Sequence, residues 1–158
     1  MKSGARLLLP FILVLSVDVL TKLWAEQALL TNQSISVFGE LLQFTLGFNS
    51  GIAFGLFANS AAVPLLTASI LVGMLSFILW QLYRSNFSKE EFIPFGFILG
   101  GATGNVVDRL IDLKVTDFID LGVGTLRWYT FNMADVFIVL GVLQLLIITL
   151  RREYKIAN

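Results

Sequence analysis

The sequence predicts an all-α membrane protein in which four transmembrane helices carry a small β-sheet cradle at the outer membrane surface. Hydrophobic residues make up 56% of the 158-residue chain and charged residues only 14%, whereas a soluble domain carries about 25% charge. Four apolar runs are long enough to cross a bilayer, which takes about 20 helical residues. Between the first two runs, apolar residues alternate with polar or small ones, which is typical of a strand. The length suits one domain, residues 1–158.

The apolar runs define the predicted helices, and the basic residues beside them predict the orientation. The runs cover residues 7–24, 61–83, 92–111 and 133–150. Seven Lys or Arg residues flank the runs on the side of both termini, and four lie on the opposite side. Because the richer side is normally cytoplasmic, both termini are predicted in the cytoplasm. The first run lacks a small-residue cleavage site, so we interpret it as a retained span rather than a signal peptide.

The composition excludes several classes of function. Without His or Cys, the chain cannot form a His- or Cys-ligated zinc site, a Ser-His-Asp triad or a cysteine nucleophile. No cofactor or metal is therefore expected. Eleven basic residues balance eleven acidic ones, whereas a nucleic-acid-binding surface needs a basic excess. Carboxylates remain as the main acid–base groups at neutral pH.

Two aspartates near the predicted outer membrane boundary are the strongest candidates for chemistry. Asp117 lies between the third and fourth runs, and Asp135 lies at the start of the fourth. A carboxylate at a bilayer edge is costly and indicates a function, although an Asp at a helix start also pairs with the helix dipole. If residues 118–134 fold back, the two carboxyl groups can share a proton. One would then activate water while the other polarises a scissile carbonyl, as in aspartic peptidases.

Polar and small residues of the first and third runs have structural interpretations. Asp18 and Lys22 lie one helical turn apart, which predicts an ion pair with Lys22 extending to the membrane interface. Three glycines of the third run predict close packing against a neighbouring helix; they are Gly100, Gly101 and Gly104.

The end of the third run carries a polar group that has a functional interpretation as well. Asn105, Asp108 and Arg109 share one helix face. Asp108 is expected to support Arg109. The planar guanidinium of Arg109 can donate hydrogen bonds to a substrate carbonyl or to a catalytic carboxylate. Asp112 and Asp120 are interpreted as solvated loop charges.

Two segments outside the helices are interpreted as surface structure. The alternating residues 42–48 predict a strand, residues 49–51 a turn, and residues 52–57 the returning partner strand. Such a hairpin would either anchor the protein in lipid or bind an extended peptide by strand addition. Trp128 and Tyr129 suit an aromatic belt at the membrane interface.

These residues belong to motifs that closely resemble, in order, those of bacterial lipoprotein signal peptidase (signal peptidase II, an aspartic peptidase family). The motifs are Asp18-x-x-x-Lys22, Asn49-Ser-Gly51-Ile-Ala-Phe54, Gly100-Gly-Ala-x-Gly104-Asn105-x-x-Asp108-Arg109, Val115-Thr-Asp117-Phe118 and Phe131-Asn132-x-Ala134-Asp135. Each block alone is a weak signal. Together they cover nearly the whole chain and are specific.

The resemblance implies an aspartic endopeptidase of the bacterial cytoplasmic (inner) membrane. It would remove the signal peptide from diacylglyceryl-modified prolipoproteins, cutting N-terminal to the lipidated lipobox cysteine near the outer face. The implied catalytic pair is Asp117 and Asp135. Positions that match the substrate pocket are Asn49, Gly51, Asn105, Arg109 and Asn132, and those that match supporting polar residues are Asp18, Lys22 and Asp108.

The resemblance also implies partners and a place for the sheet. The partners are the lipid-modified prolipoprotein, membrane lipid and globomycin-type inhibitors, bound by a monomer that needs no cofactor. The family's sheet cradle corresponds to residues 37–57. Three residues depart from the usual motifs, namely Val19, Ile52 and Thr116, where the family usually has Gln, Ala and Val. None is a catalytic carboxylate, but Ile52 adds bulk near the implied pocket.

Three other classes of function fit the sequence less well. A small proton-coupled transporter would place its carboxylates near the bilayer midplane. A Ser/Lys peptidase would use Lys22 as its base, but Ser50 shows no pattern of a nucleophile elbow. A non-enzymatic scaffold would leave Asp117 unexplained.

Overall fold

A computed structural model describes residues 3–31, 33–51, 62–84 and 88–157 of the chain. The helices are α1 (Ser3–Ala28), α2 (Ala62–Tyr83), α3 (Phe92–Asp112) and α4 (Met133–Ala157). The strands are β1 (Ser34–Phe38), β2 (Leu42–Asn49), β3 (Val115–Val123) and β4 (Leu126–Arg127). Each of the four predicted apolar runs is therefore confirmed as a helix, and α1 and α4 extend past the predicted bounds at their polar ends.

The strands form one antiparallel sheet in the order β1-β2-β3-β4. The predicted strand at residues 42–48 is confirmed as β2, which pairs with β1 on one side and β3 on the other. The predicted partner strand at residues 52–57 lies outside the described residues. In the β2–β3 register, Gly47 is opposite Asp117, so no side chain of β2 covers this aspartate from the facing position.

Two helices in the described part of the chain are long and apolar enough to cross a membrane. They are Ala5–Ala28, with a mean hydropathy of 2.0, and Met133–Ile156, with a mean hydropathy of 2.4. Helix α2 contains a shorter apolar stretch, Leu65–Phe77. The fold is thus that of a mostly helical membrane protein with a small sheet.

Glycines of α3 allow it to approach both α1 and α4, as the sequence predicted. A Cβ on Gly100 would lie 2.8 Å from the carbonyl oxygen of Phe11 in α1. A Cβ on Gly101 would lie 2.5 Å from the carbonyl oxygen of Ala134 in α4. Side chains larger than hydrogen would force these helices apart, so the glycines set the spacing at which polar groups can meet between them.

An aromatic cluster fixes the sheet on the end of α1. Trp24 of α1 packs edge-on against Phe44 of β2 and Phe118 of β3, with ring centroids 5.1 and 6.0 Å apart. Ala25 and Leu29, both buried, complete the contact. Because Phe118 follows Asp117 directly, docking this ring places the aspartate beside the helices.

Gly104→Ala is expected to destabilise the protein, because the new methyl group would collide with the carboxylate of Asp18. Overpacking of this kind costs about 1–3 kcal/mol. The matched control is Gly73→Ala in α2, where an added Cβ meets nothing within 4 Å. The control should keep or gain stability, since Ala favours a helix over Gly. Thermal unfolding in detergent measures both variants, and equal melting temperatures would contradict the close contact between α1 and α3.

Candidate active site

The predicted fold-back of residues 118–134 is confirmed, and it brings Asp117 and Asp135 to one cavity. Strand β3 turns into β4, and the returning chain pairs with β3 through Phe131, whose N–H donates to the carbonyl oxygen of Ile119 at 3.0 Å. Asp117 lies on β3 and Asp135 on the first turn of α4. Both line a cavity of about 710 Å³, within the usual range of about 300–1,000 Å³ for ligand sites.

Asn132, which is fully buried, hydrogen bonds both carboxylate residues. Its Oδ1 accepts from the backbone N–H of Asp135 at 3.1 Å, and its own backbone N–H donates to Asp135 Oδ2 at 3.3 Å. This reciprocal pair is a capping box, which satisfies two N–H groups that the start of α4 would otherwise leave without partners. The Nδ2 group donates to Asp117 Oδ1 at 2.7 Å. One residue thus caps the helix and orients both acids.

The environment of Asp117 favours its protonated form. The side chain is buried, and this desolvation raises the pKa of Asp117 to about 7, with a further increase from the nearby charge of Asp135. Hydrogen bonds from the amides of Asn132 and Asn49 act in the opposite direction. Near neutral pH the pair therefore holds a proton on Asp117 for much of the time, as a shared-proton mechanism requires.

The predicted ion pair of Asp18 and Lys22 is confirmed, at 2.7 Å between Oδ2 and Nζ. The prediction that Lys22 extends to the membrane interface is wrong, because its residue is only 4% exposed. Its Nζ also contacts Asp108 Oδ2 at 2.8 Å and Asn105 Oδ1 at 3.0 Å. A second carboxylate and an amide oxygen keep the ammonium group inside the protein.

Asp108 forms its ion pair with Lys22, and its negative charge also acts on Arg109, as expected. Arg109 is held by backbone carbonyls. Its Nη2 donates to Gly51 at 2.8 Å, and its Nη1 donates to Asn105 at 3.1 Å. Its Nε is buried and has no hydrogen-bond partner among the described residues.

The remaining residues of the predicted pocket divide between the cavity wall and its support. Asn49, Asn105 and Arg109 line the cavity. Gly51 is buried behind them, where its N–H donates to Asn49 Oδ1 at 2.9 Å. The amide of Asn105 reaches the acid pair directly, with Nδ2 donating to Asp135 Oδ1 at 2.9 Å.

The interpretation of Asp120 as a solvated charge is wrong, whereas Asp112 is exposed as expected. Asp120 is buried and accepts from Arg127 Nε at 2.7 Å and from Thr45 Oγ1 at 3.0 Å. The ion pair ties β3 to the start of the returning chain. The sequence held one indication of this ion pair, because Arg127 lies only seven residues after Asp120.

A contact between Thr116 and Glu26 could not be found from the sequence. Thr116 Oγ1 donates to Glu26 Oε1 at 2.5 Å, joining β3 to α1 next to Asp117. The two residues are 90 positions apart, so no local pattern connects them. The departure at Thr116 from the family's usual Val therefore adds a polar link beside one of the acids.

The wall of the cavity is mostly apolar. It includes the predicted belt residues Trp128 and Tyr129, which are more than half exposed. The other apolar wall residues come from β3, the returning chain and α4; they are Val115, Leu121, Phe131, Val136, Ile138, Val139 and Leu140. Two carboxyl groups, amides and a guanidinium beside such a wall can bind an apolar peptide and hydrolyse one of its amide bonds.

The geometry weighs against two of the rival functions. Lys22 Nζ is surrounded by three acceptors and is not part of the cavity wall, so it is not placed to act as the base of a Ser/Lys peptidase. Asp135 lies on the first turn of α4 and Asp117 on a strand. Neither position resembles the mid-helix carboxylate of a proton relay. Among the described residues, no group of acidic side chains has the spacing to hold a metal ion.

Comparison with known proteins identifies the family. A family model described as Signal peptidase (SPase) II matches residues 10–151 of the chain. The chain belongs to the signal peptidase II family. It is 39% identical over 145 residues to a lipoprotein signal peptidase of Gloeobacter violaceus, covering 91% of this chain and 81% of the relative. It is 34% identical over 142 residues to that of Pelagibacter ubique, covering 89% and 85%.

Two solved structures of bacterial membrane enzymes share the fold of this chain. A bacterial membrane enzyme determined by the in meso method at 2.3 Å resolution superposes with a TM-score of 0.76 at 24% identity, covering 94% of this chain and 88% of the other. A second bacterial membrane enzyme, determined at 1.9 Å, gives a TM-score of 0.73 at 25% identity and covers 93% of each chain. The arrangement of helices and sheet is therefore that of known membrane enzymes.

The Thr116–Glu26 contact is expected to stabilise the fold by about 1 kcal/mol, the usual net contribution of a hydrogen bond. Thr116→Val, Glu26→Ala and the double variant form a cycle that isolates this energy. Thr116→Val should lower the melting temperature by about 3 °C and change cleavage little, because the backbone of Thr116 still accepts from Asn132. Additive effects of the two single variants would show that the contact contributes nothing.

Proposed function

We propose that Asp117 and Asp135 hydrolyse the peptide bond on the N-terminal side of a diacylglyceryl-modified cysteine in prolipoproteins. Membership of the signal peptidase II family makes the chain a peptidase that removes signal peptides from prolipoproteins, and an aspartic mechanism is in keeping with this family. One observation carries the choice of the two acids: Asn132 hydrogen bonds both of them at the wall of a single cavity.

The contacts of the two acids support different roles in the reaction. Both oxygens of Asp135 accept N–H groups, from Asn105 Nδ2 and from the backbone of Asn132. We assign Asp135 as the base that removes a proton from water. Asp117, whose pKa is raised to about 7, is the acid that donates its proton to the scissile carbonyl oxygen. The water oxygen bonds to the carbonyl carbon and gives a tetrahedral diol. The C–N bond then breaks as the proton held by Asp135 passes to the leaving nitrogen, and one hydroxyl of the diol returns a proton to Asp117 as the new carboxyl group forms.

The cavity supports binding of an extended apolar peptide. Arg109 Nε is buried without a partner among the described residues, and a substrate carbonyl would satisfy it. Asn49 and Asn105 supply further polar groups on the same wall. Apolar residues of α4 would contact the signal peptide or the acyl chains. A globomycin-type lipopeptide would compete for the same space.

We place this site at the outer face of the bacterial inner membrane, with α2 and α3 as additional spans and both termini in the cytoplasm. The seven basic residues on the side of the termini support this orientation. Apolar side chains exposed on the helix surfaces, such as Leu65 of α2 at 73%, support lipid contact. Both acids come from one chain, so a monomer suffices.

Asp117→Asn and Asp135→Asn are each expected to abolish cleavage of a diacylglyceryl-modified lipobox peptide. Each substitution removes the proton transfer that one step needs, while the amide keeps the size of the side chain and part of its hydrogen bonding. The matched control is Asp112→Asn, because Asp112 is exposed at the end of α3, and it should cleave as well as the unchanged enzyme.

Cleavage is measured in detergent with globomycin as the inhibited reference, and thermal unfolding checks the fold. Near-full activity of either variant of the pair would refute the assignment. Inactivation by a serine reagent, with the Asn variants still active, would favour the Ser/Lys alternative.

Single cysteines test the orientation, since the chain has none of its own. Thr125→Cys, in the exposed β3–β4 turn, is expected to react in intact spheroplasts with a membrane-impermeant thiol reagent. Lys89→Cys and Glu153→Cys, both exposed, should react only after permeabilisation. Labelling of Lys89→Cys from outside would mean that α2 and α3 do not both cross the bilayer.

A further inference from the structure

The cavity wall carries a hydroxyl group that the reaction proposed above does not use. Thr130 lies between β4 and α4 and lines the cavity together with Asp117 and Asp135. The residue is half-buried, and its hydroxyl makes no hydrogen bond within the described part of the chain. Because a hydroxyl can donate one hydrogen bond and accept two, this group is available to a bound molecule.

Other polar groups of the wall are already engaged by the protein. The amide of Asn105 donates to Asp135, and both terminal nitrogens of Arg109 donate to backbone carbonyls. Arg109 Nε and the hydroxyl of Thr130 differ from these groups, because neither has a hydrogen-bond partner among the described residues. A peptide in the cavity can therefore bond to the hydroxyl without displacing a contact of the protein.

The position of Gly47 places this hydroxyl beside Asp117. Residues opposite each other in an antiparallel pair have their side chains on one face of the sheet, and Gly47 is opposite Asp117. A Cβ on Gly47 would lie 3.2 Å from Thr130 Oγ1 and 3.8 Å from the carbonyl oxygen of Asp117. The hydroxyl thus occupies the space that a side chain of β2 would fill, on the face from which the carboxyl group of Asp117 extends.

We propose that Thr130 is a substrate-binding residue, whose hydroxyl donates a hydrogen bond to a backbone carbonyl oxygen of the peptide next to the scissile bond. The inference rests on the proposed function of the two acids. A peptide carbonyl loses its water when it enters a mostly apolar cavity, and leaving it without a donor weakens binding. The hydroxyl of Thr130 supplies that donor beside Asp117, and it adds no charge to the acid pair.

Two substitutions separate the hydroxyl from the shape of the wall. Thr130→Val keeps the size of the side chain and removes the hydroxyl. It should lower kcat/KM for a diacylglyceryl-modified lipobox peptide about tenfold, as expected for one hydrogen bond to the substrate. Thr130→Ser keeps the hydroxyl and should retain most of the activity. The matched control is Thr149→Val, which should cleave normally because the hydroxyl of Thr149 bonds Leu145 of its own helix.

Thermal unfolding distinguishes binding from support of the fold. Since the hydroxyl bonds no described residue, Thr130→Val should keep the melting temperature of the unchanged enzyme. A lower melting temperature would mean that the hydroxyl supports the fold, and the inference would be overturned. Normal cleavage by Thr130→Val, or equal losses in Thr130→Val and Thr130→Ser, would overturn it as well.

Gly47→Ala tests the position of the hydroxyl without removing it. The added methyl group would lie 3.2 Å from Thr130 Oγ1, so the hydroxyl has to shift and kcat/KM should fall severalfold. In Thr130→Ala there is no Oγ1 to displace, and adding Gly47→Ala should cause no further loss. The same effect of Gly47→Ala in both backgrounds would contradict the placement of the hydroxyl.

Asp117→Asn belongs in the same series. If Asp117→Asn cleaves the peptide, the assignment of the acid pair fails, and the placement of the substrate beside Thr130 fails with it. If Asp117→Asn is inactive while Thr130→Val cleaves normally, only the inference about Thr130 fails.

Discussion

The hydrogen bonds of one buried residue, Asn132, fix the positions of Asp117 and Asp135 relative to each other. The residue begins α4 as its N-cap, so its backbone position is set by helix formation, and its amide extends to Asp117 on β3. Helix α4 and the sheet are thereby joined at the point where the two acids meet. Moving one element relative to the other would break the buried hydrogen bond between Asn132 and Asp117, at a cost of about 1–3 kcal/mol. The site is therefore as rigid as the junction between helix and sheet.

The helices supply a second, polar layer behind that junction. Lys22 would be too costly to bury alone, and a single carboxylate would repay only part of its desolvation. The structure surrounds it with two carboxylates and the amide of Asn105, and it leaves space for them because Gly104 presents no side chain to Asp18. Close helix packing and the buried charges are thus one feature: Gly104 leaves room for the ion pair of Asp18 with Lys22, and Lys22 also hydrogen bonds the amide of Asn105.

Local features of the sequence could be predicted, and contacts between distant segments could not. The apolar runs indicated the helices and the alternation indicated β2, because both patterns follow from the period of the backbone. The burial of Lys22 and of Asp120 was missed, since each depends on a partner elsewhere in the fold. Thr116 gave no sign of its bond to Glu26 for the same reason. Motif order predicted the acid pair and placed Asn105 and Asn132 in the pocket, but it did not predict the hydrogen bonds that these two amides make with the acids.

The wall of the cavity has a kinetic consequence. Val139 and Leu140 line the cavity and are also exposed on the flank of α4, at 57% and 41%. Cavity and flank therefore form one continuous apolar surface. In the proposed location of the enzyme, signal-peptide helices would reach this surface through the bilayer. The fraction of enzyme with a helix bound there would then depend on the number of such helices per unit area of membrane, rather than on their concentration in water. A released signal peptide would stay in that same layer, where it would compete with uncleaved substrate for this surface.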